Sequence, residues 1–311
     1  MKRFEERRLR QEIIEQLETV LEKEQIRQDE PMKKHITFRV GGPADIFVTP
    51  SAEQLADVLF VCRKNHVPVT VIGNGSNLLV GDRGIRGVVV NIGRGMQEIR
   101  TEGEHIFLEA GATLAAVSMQ AANAGLTGLE FASGIPGTFG GAVVMNAGAY
   151  GGEMKDVIES VRVLDRDGNV ITLSNVDLDL SYRHSCILEK GYLVLDGVLK
   201  LEKAAEPEKI KERMDELRKQ RMEKQPLEYP SAGSTFKRPE GHFAGKLIMD
   251  AGLKGFSVGG AEVSEKHCGF VVNKGNATAA DICELMDEII KTVEEKHAVT
   301  LEPEVKKVGE F

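Results

Sequence analysis

The chain has 311 residues, a formal net charge of −8 and an ordinary apolar share of 41%. That length allows two or three hydrophobic cores at roughly 100–200 residues per domain. The acidic balance argues against nucleic acid as a partner, and no apolar run approaches the ~20 residues of a membrane helix.

Residues 1–25 carry both charge signs and no apolar stretch of signal-peptide length, so a mixed-charge surface helix is expected there. Residues 32–50 read as extended segments around a Gly41-Gly42-Pro43 turn. Ser51 and Gln54 form a capping box, followed by the helical stripe Leu55, Val58, Leu59 and Cys62, which should stop before Pro68. Residues 69–73 are predicted as a buried strand and 87–93 as another, giving a small β-α-β subdomain. Next come a hairpin over 98–112 and a helix over 113–125, with Gly125 at its C-terminal cap. A second hairpin spans 157–174 with Asp167-Gly168 in its turn, and a strand spans 192–202.

The charged stretch 203–225, with Pro207 in its first turn, reads as a helix connecting to a separate C-terminal domain. That domain opens with a glycine-rich segment, 231–245, and continues with two strands. A helix capped by Thr278 follows, with the stripe Ile282, Leu285, Met286, Ile289, Ile290 and Val293, and then a final strand. Cys62, Cys186, Cys268 and Cys283 stand singly, and the histidines form neither H-x-H nor H-E-x-x-H. No metal site is expected, and lone cysteines fit a reducing cytoplasm.

Two loops carry the chemistry. Residues 133–149 hold five glycines and no charge, and residues 71–84 are glycine-rich as well. Glycine lets backbone N–H groups approach an anion closely, so two such loops point to one extended phosphorylated cofactor. Neither loop is a Walker A motif. The nearest text, Gly241 to Leu247, is one residue short and lacks the hydroxyl. Gly73-Asn74-Gly75 follows a strand, yet Leu78 stands where a Rossmann fingerprint needs glycine.

The segments 71–80 and 133–147 resemble the FAD-binding half of the vanillyl-alcohol-oxidase type, which has two α/β subdomains. With YPSAGSTFKRP at 229–239 and LEPEV at 301–305, the chain resembles the UDP-N-acetylenolpyruvoylglucosamine reductase family from about residue 34 onward. The resemblance implies an α+β chain, with a two-subdomain FAD-binding fold and a smaller α+β substrate domain. The expected division is a helical segment at 1–30, FAD-binding subdomains at 31–97 and 98–203, and a substrate domain at 204–311. There is no room after Arg183 for the tyrosine-bearing insertion of the longer family form, so the chain resembles the shorter one.

The resemblance also implies a reaction. NADPH donates a hydride through non-covalent FAD to a UDP-sugar enolpyruvate, in the making of a cell-wall precursor. Ser234 matches the family's proton donor, and Arg183 and Glu304 match the pair on the substrate carboxylate. Tyr182, Lys254 and Lys306 are substrate-side positions, although Lys306 stands where arginine is commoner. Gly73, Asn74, Gly75, Ser76, Asn77, Gly134, Ile135, Gly137, Thr138, Gly140, Gly141 and Ala147 are the expected flavin contacts. Neither loop holds a histidine or cysteine that could attach the flavin covalently. No nucleic acid, membrane insertion or obligate protein partner is expected. An FAD-dependent oxidase of a small alcohol explains the N-terminal half equally well, but not Ser234, Glu304 or so small a C-terminal domain. A flavin-binding module without catalysis would need none of the three polar candidates.

Overall fold

Local chemistry sets the element boundaries in this computed structural model, which describes residues 2–311 and their side chains from Leu9 onward. Ser51 and Gln54 close their capping box at the start of helix Ala52–Lys64. Thr113 caps helix Leu114–Asn123, with Gly125 just beyond its end at φ +69°. Thr278 and Asp281 form a capping box for helix Ala279–His297, whose stripe buries Ile282, Leu285, Met286, Ile289 and Val293. Each cap satisfies N–H groups that the first helical turn leaves without partners.

The chain divides into two compact units. The first takes residues up to Arg27, then Phe47–Asn74 and Val88–Arg221. Its largest sheet has five antiparallel strands in the order Val170–Ser174, Ile158–Leu164, Leu193–Lys200, His105–Glu109, Ile99–Glu102. Helix Phe139–Met145 sits on this sheet at Gly197, where a Cβ would lie 2.6 Å from the Phe139 ring. A glycine in mid-strand marks such a close approach. Val69–Ile72 pairs in parallel with the strand Ile85–Asn91 over Val69 to Ile72. This strand is less buried than its sequence implies: Val71 is 42% exposed and only Ile72 is buried.

Helix Pro207–Lys224 is more than a connection. It buries Ile210, Met214 and Leu217, and the first unit keeps it as far as Arg221. The second unit takes Gln28–Ile46, Gly75–Gly87 and Met222–Phe311. Its three-stranded sheet runs Ser257–Val258, Ala261–Val263, Val271–Asn273. Strand Lys306–Val308 pairs in parallel with Leu78–Val80. Asp82 accepts hydrogen bonds from the Ala279 and Ala280 N–H groups at 2.8 and 3.0 Å, placing a carboxylate on the positive end of the long helix.

Candidate functional site

In the first unit the two glycine loops are fastened to each other. Asn74 Nδ2 donates to the Pro136 carbonyl at 3.2 Å, and Asn91 Nδ2 donates to the Gly73 carbonyl at 2.9 Å. A Cβ at Gly73 would stand only 2.4 Å from Thr138 Oγ1, so only glycine permits this approach. Thr138 is buried, caps helix Phe139–Met145 and accepts from Gly141 N–H. Gly137 and Gly140 are anchored to the segment before them: Leu114 N–H donates to Gly137, and Gly140 N–H donates to Ala110. Gly140 is buried against Ala110, whereas Gly141 is exposed. Ile135 N–H donates to Ala132, and Ala147 N–H to Ala142, which closes the far end of the helix.

A cation stands beside the second loop. A Cβ at Gly134 would lie 3.1 Å from Arg221 Nη1. Burial pushes the Arg221 guanidinium downward in pKa, with nearby Tyr150 opposing. Arginine keeps its charge under such a shift, so this is a partly desolvated cation next to an uncharged loop. The set suits an elongated phosphorylated group, which needs close backbone, small polar side chains and positive charge. Arg221 escapes sequence reasoning because it sits in a helix crowded with other charges.

The same scaffold carries Arg183. Ser181 and His184 exchange backbone hydrogen bonds at 3.2 and 3.1 Å, leaving Tyr182 and Arg183 at the tip of a tight turn. Tyr182 is 53% exposed, and the Arg183 guanidinium carbon lies 5.3 Å from its ring centroid. Arg183 has φ +56°, a conformation that costs a non-glycine residue about 1–3 kcal/mol. Buried Asn146, itself at φ +41°, donates to the Ser181 carbonyl at 3.1 Å, and Ser185 Oγ donates to the Val144 carbonyl at 2.9 Å. Both tethers come from helix Phe139–Met145 and its C-terminal cap, inside the second glycine-rich segment.

The second unit brings Ser234 and Glu304 onto neighbouring segments. Thr235 is fully buried; its carbonyl accepts from Glu304 N–H at 2.8 Å, and its hydroxyl accepts from Val271 N–H at 2.9 Å. Phe236 bridges Pro303, and Lys237 N–H donates to the Glu302 carbonyl. Ser234 is exposed and follows Gly233, around which a Cβ would meet nothing within 4 Å. Glu304 is 9% exposed.

The rest of the first loop joins this group. Asn77 Nδ2 donates to the Glu304 carbonyl at 3.2 Å, and Lys306 N–H donates to the Asn77 carbonyl at 3.0 Å. Gly75 turns at φ +61° against the His35 carbonyl, and Ser76 lies between it and Asn77. Lys306 is exposed. Lys254 is also exposed, on a separate turn. It lowers the Cys268 thiol pKa against a larger upward push from burial. His267 packs edge-on against Phe270, and its Nδ1 accepts from Gly269 N–H at 3.1 Å. No cluster of three or more His, Cys, Asp or Glu suited to a metal occurs among the described residues.

Comparison with known proteins finds relatives along most of the chain. Residues 43–174 match the family described as FAD binding domain, and residues 225–308 match the UDP-N-acetylenolpyruvoylglucosamine reductase C-terminal domain. A UDP-N-acetylenolpyruvoylglucosamine reductase of Agathobacter rectalis is 59% identical over 296 residues, covering 91% of this chain and 94% of the relative. One from Clostridium novyi is 54% identical over 300 residues, covering 96% and 97%. The crystal structure of the Thermus caldophilus enzyme superposes with a TM-score of 0.78 at 38% identity, covering 91% of this chain and 98% of that one.

Proposed function

This chain belongs to the UDP-N-acetylenolpyruvoylglucosamine reductase family, and from that premise we propose how its residues share the reaction. The protein is an FAD-containing oxidoreductase that uses NADPH to reduce UDP-N-acetylglucosamine enolpyruvate to UDP-N-acetylmuramate, a step of peptidoglycan precursor synthesis. FAD, when bound, would supply the hydride chemistry that links NADPH to the enol ether.

The chain's own residues then have three tasks. The first is to hold the cofactor, without a covalent bond. Backbone groups of Gly73, Asn74, Gly134, Gly137 and Gly141, the hydroxyl of Thr138 and the guanidinium of Arg221 suit its phosphates and their charge. The first loop's Gly75, Ser76 and Asn77 are assigned to the same cofactor. The second task is electrostatic. Hydride addition builds negative charge next to the substrate carboxylate, and Arg183 offers a planar fork matched to that carboxylate, with Glu304 as its companion. The third is protonation of the carbon beside the carboxylate, which falls to the hydroxyl of Ser234. Tyr182, Lys254 and Lys306 are assigned to the remaining substrate groups.

One observation carries this division: the hydrogen bond from Glu304 N–H to the Thr235 carbonyl at 2.8 Å, which fixes the segments bearing Ser234 and Glu304 side by side. Functionally, we assign residues 31–97 and 98–203 chiefly to the flavin and 204–311 chiefly to the substrate, with Tyr182 and Arg183 of the second segment serving the substrate and Arg221 of the third serving the flavin. A cytoplasmic location goes with this reading, supported by four thiols that form no disulfide. The test separates two half-reactions under anaerobic conditions. Ser234→Ala should leave flavin reduction by NADPH nearly unchanged, and should slow reoxidation by the enolpyruvate substrate about 100-fold or more. Equal slowing of both halves would assign Ser234 to structure instead.

A further inference from the structure

Arg183 sits on a turn whose backbone conformation is unfavourable for arginine, at φ +56°. Such a turn persists only if its surroundings over-determine it. The surroundings here meet at one side chain. Asn146 is 1% exposed and ends helix Phe139–Met145 in the left-handed region, which asparagine tolerates better than most residues.

Its amide is used on both sides. Oδ1 accepts from Lys155 N–H at 2.9 Å. Nδ2 donates to Glu153 Oε2 at 2.7 Å and to the Ser181 carbonyl at 3.1 Å. A backbone donor on one side, with a carboxylate and a carbonyl on the other, fixes the orientation of the amide. Asn146 therefore joins three segments: helix Phe139–Met145 within the second glycine-rich segment, the Glu153–Lys155 stretch, and the turn that displays Arg183. Ser181 is bonded both to Asn146 and, across the turn, to His184. A shift of Asn146 is thus passed to both ends of the two-residue tip.

We propose that Asn146 is a positioning residue for Arg183, tying the turn that carries the guanidinium to the helix that grows out of the flavin loop. The proposal rests on the reading that Arg183 acts on the substrate carboxylate. Its chemistry is that of a neutral amide that must donate twice and accept once. A carboxylate in its place keeps the contact with Lys155 N–H but presents an acceptor to two acceptors.

That asymmetry provides the experiment. Asn146→Asp combined with Glu153→Gln restores a donor opposite position 146, since the glutamine amide can supply the missing proton. The Ser181 carbonyl is still left facing an oxygen. The flavin-loaded double variant is compared with wild type in melting temperature, flavin content and the two half-reactions. The expected result is near-wild-type flavin content and NADPH reduction, with reoxidation by substrate slowed about 10- to 100-fold, as a displacement near 1 Å produces. The loss should fall on the limiting rate more than on substrate affinity.

Reoxidation at the wild-type rate would overturn the proposal, and so would a folded variant that has lost its flavin. If the double variant does not fold, Ser185→Ala removes the other tether, to Val144, and the same split between half-reactions decides. Arg183→Lys is measured in parallel. If it reoxidises as fast as wild type, the reading of Arg183 fails. If it is slow while the Asn146 variant is not, only the present inference fails.

Discussion

Glu304 poses the sharpest question at the level of single residues: if it acts on the substrate carboxylate as proposed, its own negative charge would oppose the growing charge of an enolate. Two roles are compatible with the chemistry: a protonated acid that donates, or an ion that orients Arg183. Glu304→Gln separates them, since glutamine donates but carries no charge. Substantially retained reoxidation means a protonated acid, whereas a loss of about 100-fold means that the charge is required. His267 makes a second expectation, set by pH. Burial holds its pKa below the ordinary 6.5, while its Nδ1 accepts from Gly269 N–H. The unfolded chain therefore binds a proton at pH values where the folded chain does not. Stability should fall as pH drops through about 6.5, and level off once the folded imidazole also titrates. Denaturant titrations at successive pH values, with His267 followed by its ring proton resonances, check the sign. A His267 resonance titrating at or above 6.5 would contradict it.

Among the elements, the paired glycine loops make the most specific demand. An alanine Cβ at Gly73 would stand 2.4 Å from Thr138 Oγ1, so the loops must separate. Gly73→Ala should weaken FAD binding to the apoprotein by at least about tenfold, read from the quenching of flavin fluorescence. Adding Thr138→Ala removes the atom that is struck, and should recover part of the affinity. Unchanged affinity in Gly73→Ala would mean that the close approach is irrelevant to the flavin. The elements themselves are legible in the sequence where their cause is local. Ser51 with Gln54, Thr278 with Asp281, and Gly125 each lie within one helical turn of what they stabilise. The two loops are legible for the same reason, being dense in glycine. What was hidden depends on distant partners. Asn146 looks like another small residue in a glycine run, and its meaning comes from Ser181, 35 positions later. Arg221 reads as one charge among many until the fold sets it beside Gly134. Val71 reads as core because it is apolar, although the strand that carries it leaves it partly exposed.

For the whole molecule, the two compact units contribute different candidates: Arg183 belongs to the first, and Ser234 and Glu304 to the second. If Arg183 and Glu304 act on one carboxylate, Arg183→Lys and Glu304→Gln should not be independent. The double variant should be less impaired than the product of the single effects, by a coupling of about 0.5–3 kcal/mol in the barrier to reoxidation. Strictly multiplicative losses would show that they serve different groups. The parallel pairing of Lys306–Val308 with Leu78–Val80 has a consequence in time rather than in energy. Asn77 and Glu304, which flank that pairing, are 227 residues apart. A ribosome adding roughly 5–20 residues per second needs on the order of 10 to 50 seconds to cover that span. Leu79 and Val80, wholly buried in the finished fold, emerge early and wait for a strand not yet made. The nascent chain thus carries the Leu78–Val80 edge without its parallel partner through most of its synthesis.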